Sequence, residues 1–197
     1  MNRRSRVVVG ISGASGAAIG LRVLELLAGI AAVDIHLVVS PAAERTLASE
    51  IGPGALERAR ALATHCHDHG DIGATIASGS FRTAGMIVAP CSMRTLCAIA
   101  YGQLDDLLVR AADVQLKERR RLVLLARESP LHLGHLRAMT QVTESGAIVA
   151  PPVPAFYLRP RDVGEIVDQI ALRAIGLLDL DTCGLPLAEW QGEPAGS

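Results

Sequence analysis

The 197-residue chain sets 19 basic against 20 acidic residues, and its formal net charge of −1 gives it no general attraction for nucleic acid or an anionic membrane. Half of the residues are hydrophobic but only 3% are aromatic, so Ala, Val, Leu and Ile must build the core, and the length suits one α/β domain rather than two. The basic start Met1-Asn2-Arg3-Arg4-Ser5-Arg6 leads into an apolar run too short for a signal peptide, and no stretch approaches a membrane span. Cys66, Cys91, Cys97 and Cys183 form no C-x-x-C pair, so buried free thiols and a cytoplasmic location are expected.

Residues 6–11 form an apolar, β-branched run that stops at Ser12-Gly13-Ala14-Ser15-Gly16. Over 17–28, Ile19, Leu21, Leu24 and Leu27 then recur at helical spacing. A second strand is predicted over 34–39, helices over 42–50 and 55–63, and a polar, Gly-rich loop with room for a short strand over 65–80. Residues 85–89 read as a third strand, 95–100 and 104–118 as helices, 122–126 as a fourth strand, 131–145 as a helix, 148–150 as a fifth strand and 162–178 as the last helix. One domain is expected over 1–190 and a disordered tail over 191–197. Strands that are apolar throughout and alternate with helices predict a doubly wound parallel α/β sandwich. Ligands of such sheets sit beyond the carboxyl ends of the strands, here at 12–16, 40–41, 90–95, 127–130 and 151–160.

Gly10, Gly13 and Gly16 are spaced G-x-x-G-x-x-G, which is neither the dinucleotide fingerprint nor a phosphate-binding P-loop. A glycine turn that opens a helix still offers backbone N–H groups to an anion, with Ser12 and Ser15 as added hydroxyl donors, unless it is only a tight turn. The second strand ends at Ser40 rather than at the acidic residue that would hold the ribose of a dinucleotide, so a mononucleotide such as flavin mononucleotide (FMN) fits better. Pro90-Cys91-Ser92-Met93-Arg94-Thr95 repeats the pattern of small hydroxyl residues at a strand end, with Ser92 also placed to cap a helix.

Arg110 and Lys117 lie seven residues apart on one helix, nearly on the same face at about 100° per residue. They either clamp a phosphate or lie on a solvated face. The run Arg119-Arg120-Arg121 reads as a solvated cap that suits the helix dipole. Arg127-Glu128 follows the fourth strand, where a carboxylate can relay a proton. Prolines 151, 152 and 154 stiffen the loop that carries Tyr157, and Arg173 in the apolar last helix needs a structural carboxylate or a ligand phosphate as partner. His65-Cys66-His67-Asp68-His69 lacks the usual zinc spacing, and no metal site is expected. His132 and His135 read as helix residues satisfied locally.

Six stretches converge in order on one family. Gly13-Ala14-Ser15-Gly16, Ala77-Ser78-Gly79-Ser80-Phe81, Met86 through Ser92, Arg110-Ala111-Ala112-Asp113-Val114, Leu116-Lys117-Glu118-Arg119-Arg120 and Pro154-Ala155-Phe156-Tyr157 resemble the flavin prenyltransferase (UbiX) family over nearly the whole chain. The resemblance implies a flavodoxin-like (Rossmann-type) subunit of a homododecamer. It would join the dimethylallyl group of dimethylallyl monophosphate to reduced FMN without a metal, and supply prenylated FMN to a UbiD-like decarboxylase.

By the same resemblance Gly13, Ala14, Ser15, Ser40, Ser92, Met93, Arg94, Thr95 and Arg127 match flavin-binding positions. Ser78, Gly79, Arg110, Lys117, Tyr157 and Arg173 match positions that hold the prenyl phosphate, the last three also counted with the catalytic set, and Glu128 matches the catalytic acid/base. Asp106 stands where an Asn is expected, Ser129 replaces Thr or Ala, and Ile72 takes the place of an aromatic. The competing readings are a flavin-dependent cysteine decarboxylase, whose asparagine loop is absent, a subunit of a hydroxyaryl acid decarboxylase, and a non-catalytic flavin carrier.

Overall fold

Strand alternation decides which helices cover which face. In β1 (Ser5–Ile11), Val7, Val9 and Ile11 enter one apolar core while Val8 enters the other. β2 (Val33–Val39) divides likewise, with Ile35, Leu37 and Val39 on the first side and Val38 on the second, as the period of two requires. The first core is closed by α1 (Ala17–Ala28), α2 (Pro41–Glu50), α3 (Ala55–Leu62) and α7 (Val163–Gly176). The second is closed by α4 (Met93–Tyr101), α5 (Leu107–Lys117) and α6 (Leu133–Glu144).

The computed structural model describes residues 4–178, 180 and 184–187, and the tail expected over 191–197 lies outside them. With β3 (His65–His67), β4 (Gly85–Cys91), β5 (Leu122–Ala126) and β6 (Ile148–Val149), the sheet has six strands, all parallel, in the order β3-β2-β1-β4-β5-β6. Setting aside the three-residue edge strand β3 leaves the 2-1-3-4-5 order of flavodoxin-like sheets, so the expected fold is the observed one. The room left for a short strand in the polar segment is taken by β3.

Helix starts follow their caps. Ser40, Ser92, Asp106 and Asp162 each accept a backbone N–H three residues on and open α2, α4, α5 and α7. Asp106 therefore delays α5 to Leu107, three residues later than the apolar spacing suggests, and His132 delays α6 to Leu133. α1 lies directly on β4, since a Cβ at Gly20 would collide with the carbonyl oxygen of Ala89. Among the described residues no helix is long and apolar enough to cross a membrane.

Candidate functional site

β1 and β4 are neighbours, yet α1 leaves β1 toward one face of the sheet and α4 leaves β4 toward the other. The turns after the two strands therefore flank one crevice, the switch point at which sheets of this kind bind ligands. Ser12 joins them. Its side chain is 1% exposed, and Oγ donates to the Pro90 carbonyl at 3.1 Å while accepting the Ser92 N–H at 2.8 Å. Ser12 is thus a structural tie rather than a ligand donor. Arg127, after β5, adds a third turn by donating its N–H to the Cys91 carbonyl at 3.0 Å.

The start of α1 corrects the sequence reading further. Gly16 adopts φ +103°, and the N–H groups of Gly16 and Ala17 both donate to Glu50 Oε2 at 2.9 Å. The carboxylate at the end of α2 thus fills the anion position that these N–H groups offered to a ligand. Burial pushes the Glu50 carboxyl up, but the Ser15 hydroxyl, the Ala17 and Gly16 N–H groups and the Arg127 charge outweigh it and hold it below the usual carboxylate range. Glu50 is the residue of this turn that the sequence reading missed. An acidic residue in the last turn of a helix opposes the helix dipole, and that was the available signal.

The other positions matched to flavin binding lie in the turns and helix starts that follow β1, β2 and β4. A Cβ at Gly13 would collide with the Ala42 side chain, so the Gly13-Ala14-Ser15 turn runs against the start of α2. Ser40 Oγ accepts the Ala43 N–H at 3.2 Å, and Ser92 Oγ accepts the Thr95 N–H at 3.3 Å while donating to the Thr95 hydroxyl at 3.1 Å. Met93 and Thr95 are buried, while the Arg94 side chain, 79% exposed, approaches Asp106 at 3.8 Å. Asp106 also lies 3.5 Å from His69 Nε2 and accepts the Val109 N–H, a capping role that its carboxylate performs where the resemblance expects Asn. Glu128 is exposed on the rim, its Oε1 accepting the Ser129 N–H at 3.1 Å.

The six phosphate-matching residues do not converge within one chain. Lys117 ends α5 just before β5 begins, and Ser78 and Gly79 precede β4, so this group lies at the amino end of the sheet. Lys117 Nζ pairs with Glu118 at 3.0 Å, Arg110 pairs with Asp113 at 2.7 Å, and the Ser78 and Ser80 hydroxyls are 2.9 Å apart. Tyr157 and Arg173 lie instead on the α7 side, where they line a cavity of about 510 Å³ with Leu125, Pro151, Ile170 and Leu177. Arg173 is exposed there, so it carries no burial cost of the kind its apolar neighbours suggested.

The histidines follow their sequence reading in part. His132 caps α6 by accepting the Gly134 N–H at 3.0 Å, and its ring lies tilted against His135 with centroids 3.6 Å apart, while His135 Nδ1 is buried without a hydrogen-bond partner. His65 and His67 project to the same face as His36 of β2, and His36 Nδ1 lies 2.9 Å from His67 Nε2. Among the described residues no group of three or more His, Cys, Asp or Glu side chains converges as a metal site.

A parallel sheet with a switch-point crevice of this make is a flavodoxin-like α/β domain, and the family model described as Flavoprotein matches residues 1–174. Flavin prenyltransferase UbiX of Thauera aromatica is 55% identical over 176 residues, covering 89% of this chain and 90% of that protein. The Escherichia coli K12 protein of the same name is 51% identical over 190 residues, covering 95% and 98%. Among solved structures, AnUbiX (PadA1) in complex with FMN and dimethylallyl pyrophosphate superposes with a TM-score of 0.90 at 48% identity, covering 98% of this chain and all of that one. A dodecameric FMN-dependent UbiX-like decarboxylase from Escherichia coli O157:H7 follows at 0.89 and 43%, covering 95% and 100%. The chain belongs to the UbiX flavin prenyltransferase family.

Proposed function

We propose that the chain joins the dimethylallyl group of dimethylallyl monophosphate to N5 and C6 of reduced FMN, with inorganic phosphate as the other product. The observation that carries this reading is the crevice in which Ser12 ties the β1 and β4 turns together and Glu50 and Arg127 face each other beside Ser15. Its donor set suits FMN: Arg127 supplies a cation for a phosphate monoester, and the Ser40, Ser92 and Thr95 hydroxyls supply neutral polar contacts. The reduced flavin supplies two nucleophilic positions. The chain's own residues must hold the leaving phosphate and manage protons.

Arg110, Lys117, Tyr157 and Arg173 offset charge on the phosphate as the allylic C–O bond breaks, without need of a metal. Glu128 takes up and returns the proton exchanged with the departing phosphate. Because Lys117 and Arg173 lie on opposite faces of one chain, the complete set is assembled between copies, which supports a homododecamer like that of the solved relative. A UbiD-like decarboxylase is the consumer of the product, and the cytoplasm is the location.

The test is anaerobic, metal-free incubation of the purified protein with reduced FMN and dimethylallyl monophosphate, with the diphosphate run in parallel. Mass spectrometry should show a flavin heavier by one prenyl unit. Recovery of unmodified flavin alone overturns the reading.

A further inference from the structure

Arg120 makes contacts that a solvated cap does not explain. Its side chain is 15% exposed, Nη1 donates to the Phe81 carbonyl at 2.9 Å, and Nη2 donates to the Gly79 carbonyl at 2.6 Å. The two carbonyls flank Ser80, so one rigid guanidinium fork fixes the path of the backbone between them. A second tie lies two residues on, where the buried Gln115 side chain of α5 accepts the Thr83 hydroxyl at 2.8 Å. Arg119 and Arg121, on either side of Arg120, are exposed. The three arginines are therefore not equivalent.

The segment held in this way is the one that presents Ser78 and Gly79 beside Lys117. A Cβ at Gly79 would lie 2.8 Å from Lys117 Nζ and collide with the Glu118 carboxylate, so the loop rests directly on the end of α5. Glu118 Oε2 is 3.7 Å from Arg120, while Oε1 is 3.0 Å from Lys117. One carboxylate thus spaces the two cations, and only one of them grips the loop.

We propose that Arg120 is the positioning residue of the phosphate site: its fork holds the Ser78-Gly79 backbone against the end of α5, beside Lys117. This rests on the reading that Ser78, Gly79 and Lys117 hold the prenyl phosphate. Arg120 itself faces the two loop carbonyls, and its effect reaches the substrate through them.

The experiment is steady-state kinetics of the assembled full chain, with dimethylallyl monophosphate varied at saturating reduced FMN and inorganic phosphate as competitor. Arg120→Ala should raise KM for the prenyl substrate about tenfold or more and weaken phosphate inhibition in parallel. kcat and flavin affinity should stay within about threefold, the signature of lost uniform binding. Arg120→Lys, which reaches one carbonyl but not both, should fall between, and it carries the test if the alanine variant does not fold. Arg119→Ala controls for loss of charge and should leave KM unchanged. Lys117→Gln separates the two levels of the argument. If Lys117→Gln raises KM while both Arg120 variants leave it unchanged, the positioning role is overturned; if Lys117→Gln itself leaves KM unchanged, the phosphate reading beneath it is overturned.

Discussion

The Glu50 carboxylate accepts the Ala17 N–H at 2.9 Å, so the last residue of α2 caps the first turn of α1. The same oxygen takes the Gly16 N–H, and Ser15 and Arg127 complete the ring around it. Glu50→Ala leaves two backbone donors to water and should cost about 1 kcal/mol, a small figure because the carboxylate is exposed. The larger effect falls on flavin affinity, since the Ser15 turn loses its anchor. Urea unfolding and a flavin titration read the two separately. The folded carboxyl sits below its unfolded value, so the stability it contributes is present at neutral pH and is lost as the pH falls through the folded pKa.

Ser12→Ala tests the tie between the two turns. The substitution removes the acceptor of the Ser92 N–H at a position that water does not reach. A buried donor left unsatisfied costs about 1–3 kcal/mol, measurable by denaturant unfolding. Flavin binding should weaken with it, because the crevice walls are no longer held in register. Ser15→Ala, at an exposed position, should leave stability within about 0.5 kcal/mol.

Gly20→Ala inverts the usual rule for a helix interior. Alanine there ordinarily stabilises a helix by about 1 kcal/mol over glycine. Here the added Cβ meets the Ala89 backbone carbonyl, which belongs to the central strand β4 and does not yield as a flexible side chain does. The variant should lose about 1–3 kcal/mol by thermal or urea unfolding and bind flavin less tightly, since α1 is pushed away from the strand that leads to Pro90.

The strands were legible because Val7 through Ile11 and Met86 through Cys91 are apolar on both faces, a pattern that only a doubly covered parallel sheet demands. The Ser92 cap was legible too, since capping is decided within three residues. What could not be read were contacts closed by the fold. Glu50 meets Gly16 across 34 residues, Ser12 meets Ser92 across 80, and Arg120 meets Gly79 across 41. In a run of three arginines, sequence spacing does not say which one turns inward; the backbone of Arg119 at φ +57° does, by ending α5 and swinging Arg120 under the loop.

Glu128→Gln separates proton transfer from binding. Glu128 is exposed on the rim, and its carboxylate accepts the Ser129 N–H. Flavin affinity should therefore match that of the unaltered protein while prenylation falls about 10²–10⁴-fold, the range expected for loss of a general acid/base. A variant that binds flavin and turns over at the normal rate would assign the proton to another donor.

His36 makes stability depend on pH. Its ring is buried on the α5 side of β2, stacked on His65 at 4.6 Å with the edge of Phe81 at 5.1 Å, and Arg6 lies over that Phe81 ring. Burial first, then the His65, His67 and Arg6 charges, with Asp34 opposing, push its pKa down to about 4. Burial pushes His67 down as well, and the two rings share the 2.9 Å contact. An unfolded histidine binds its proton near pH 6.5, so between there and the folded value the unfolded state holds a proton that the folded state refuses. Stability should be full above the unfolded pKa and fall on acidification across this window by an amount on the order of 2 kcal/mol. His36→Phe replaces the ring with an apolar one of similar shape and should flatten most of that slope, leaving the part due to His67. Urea unfolding of both proteins at intervals from pH 7 to pH 4.5 reads the difference, and parallel slopes would place the acid sensitivity elsewhere.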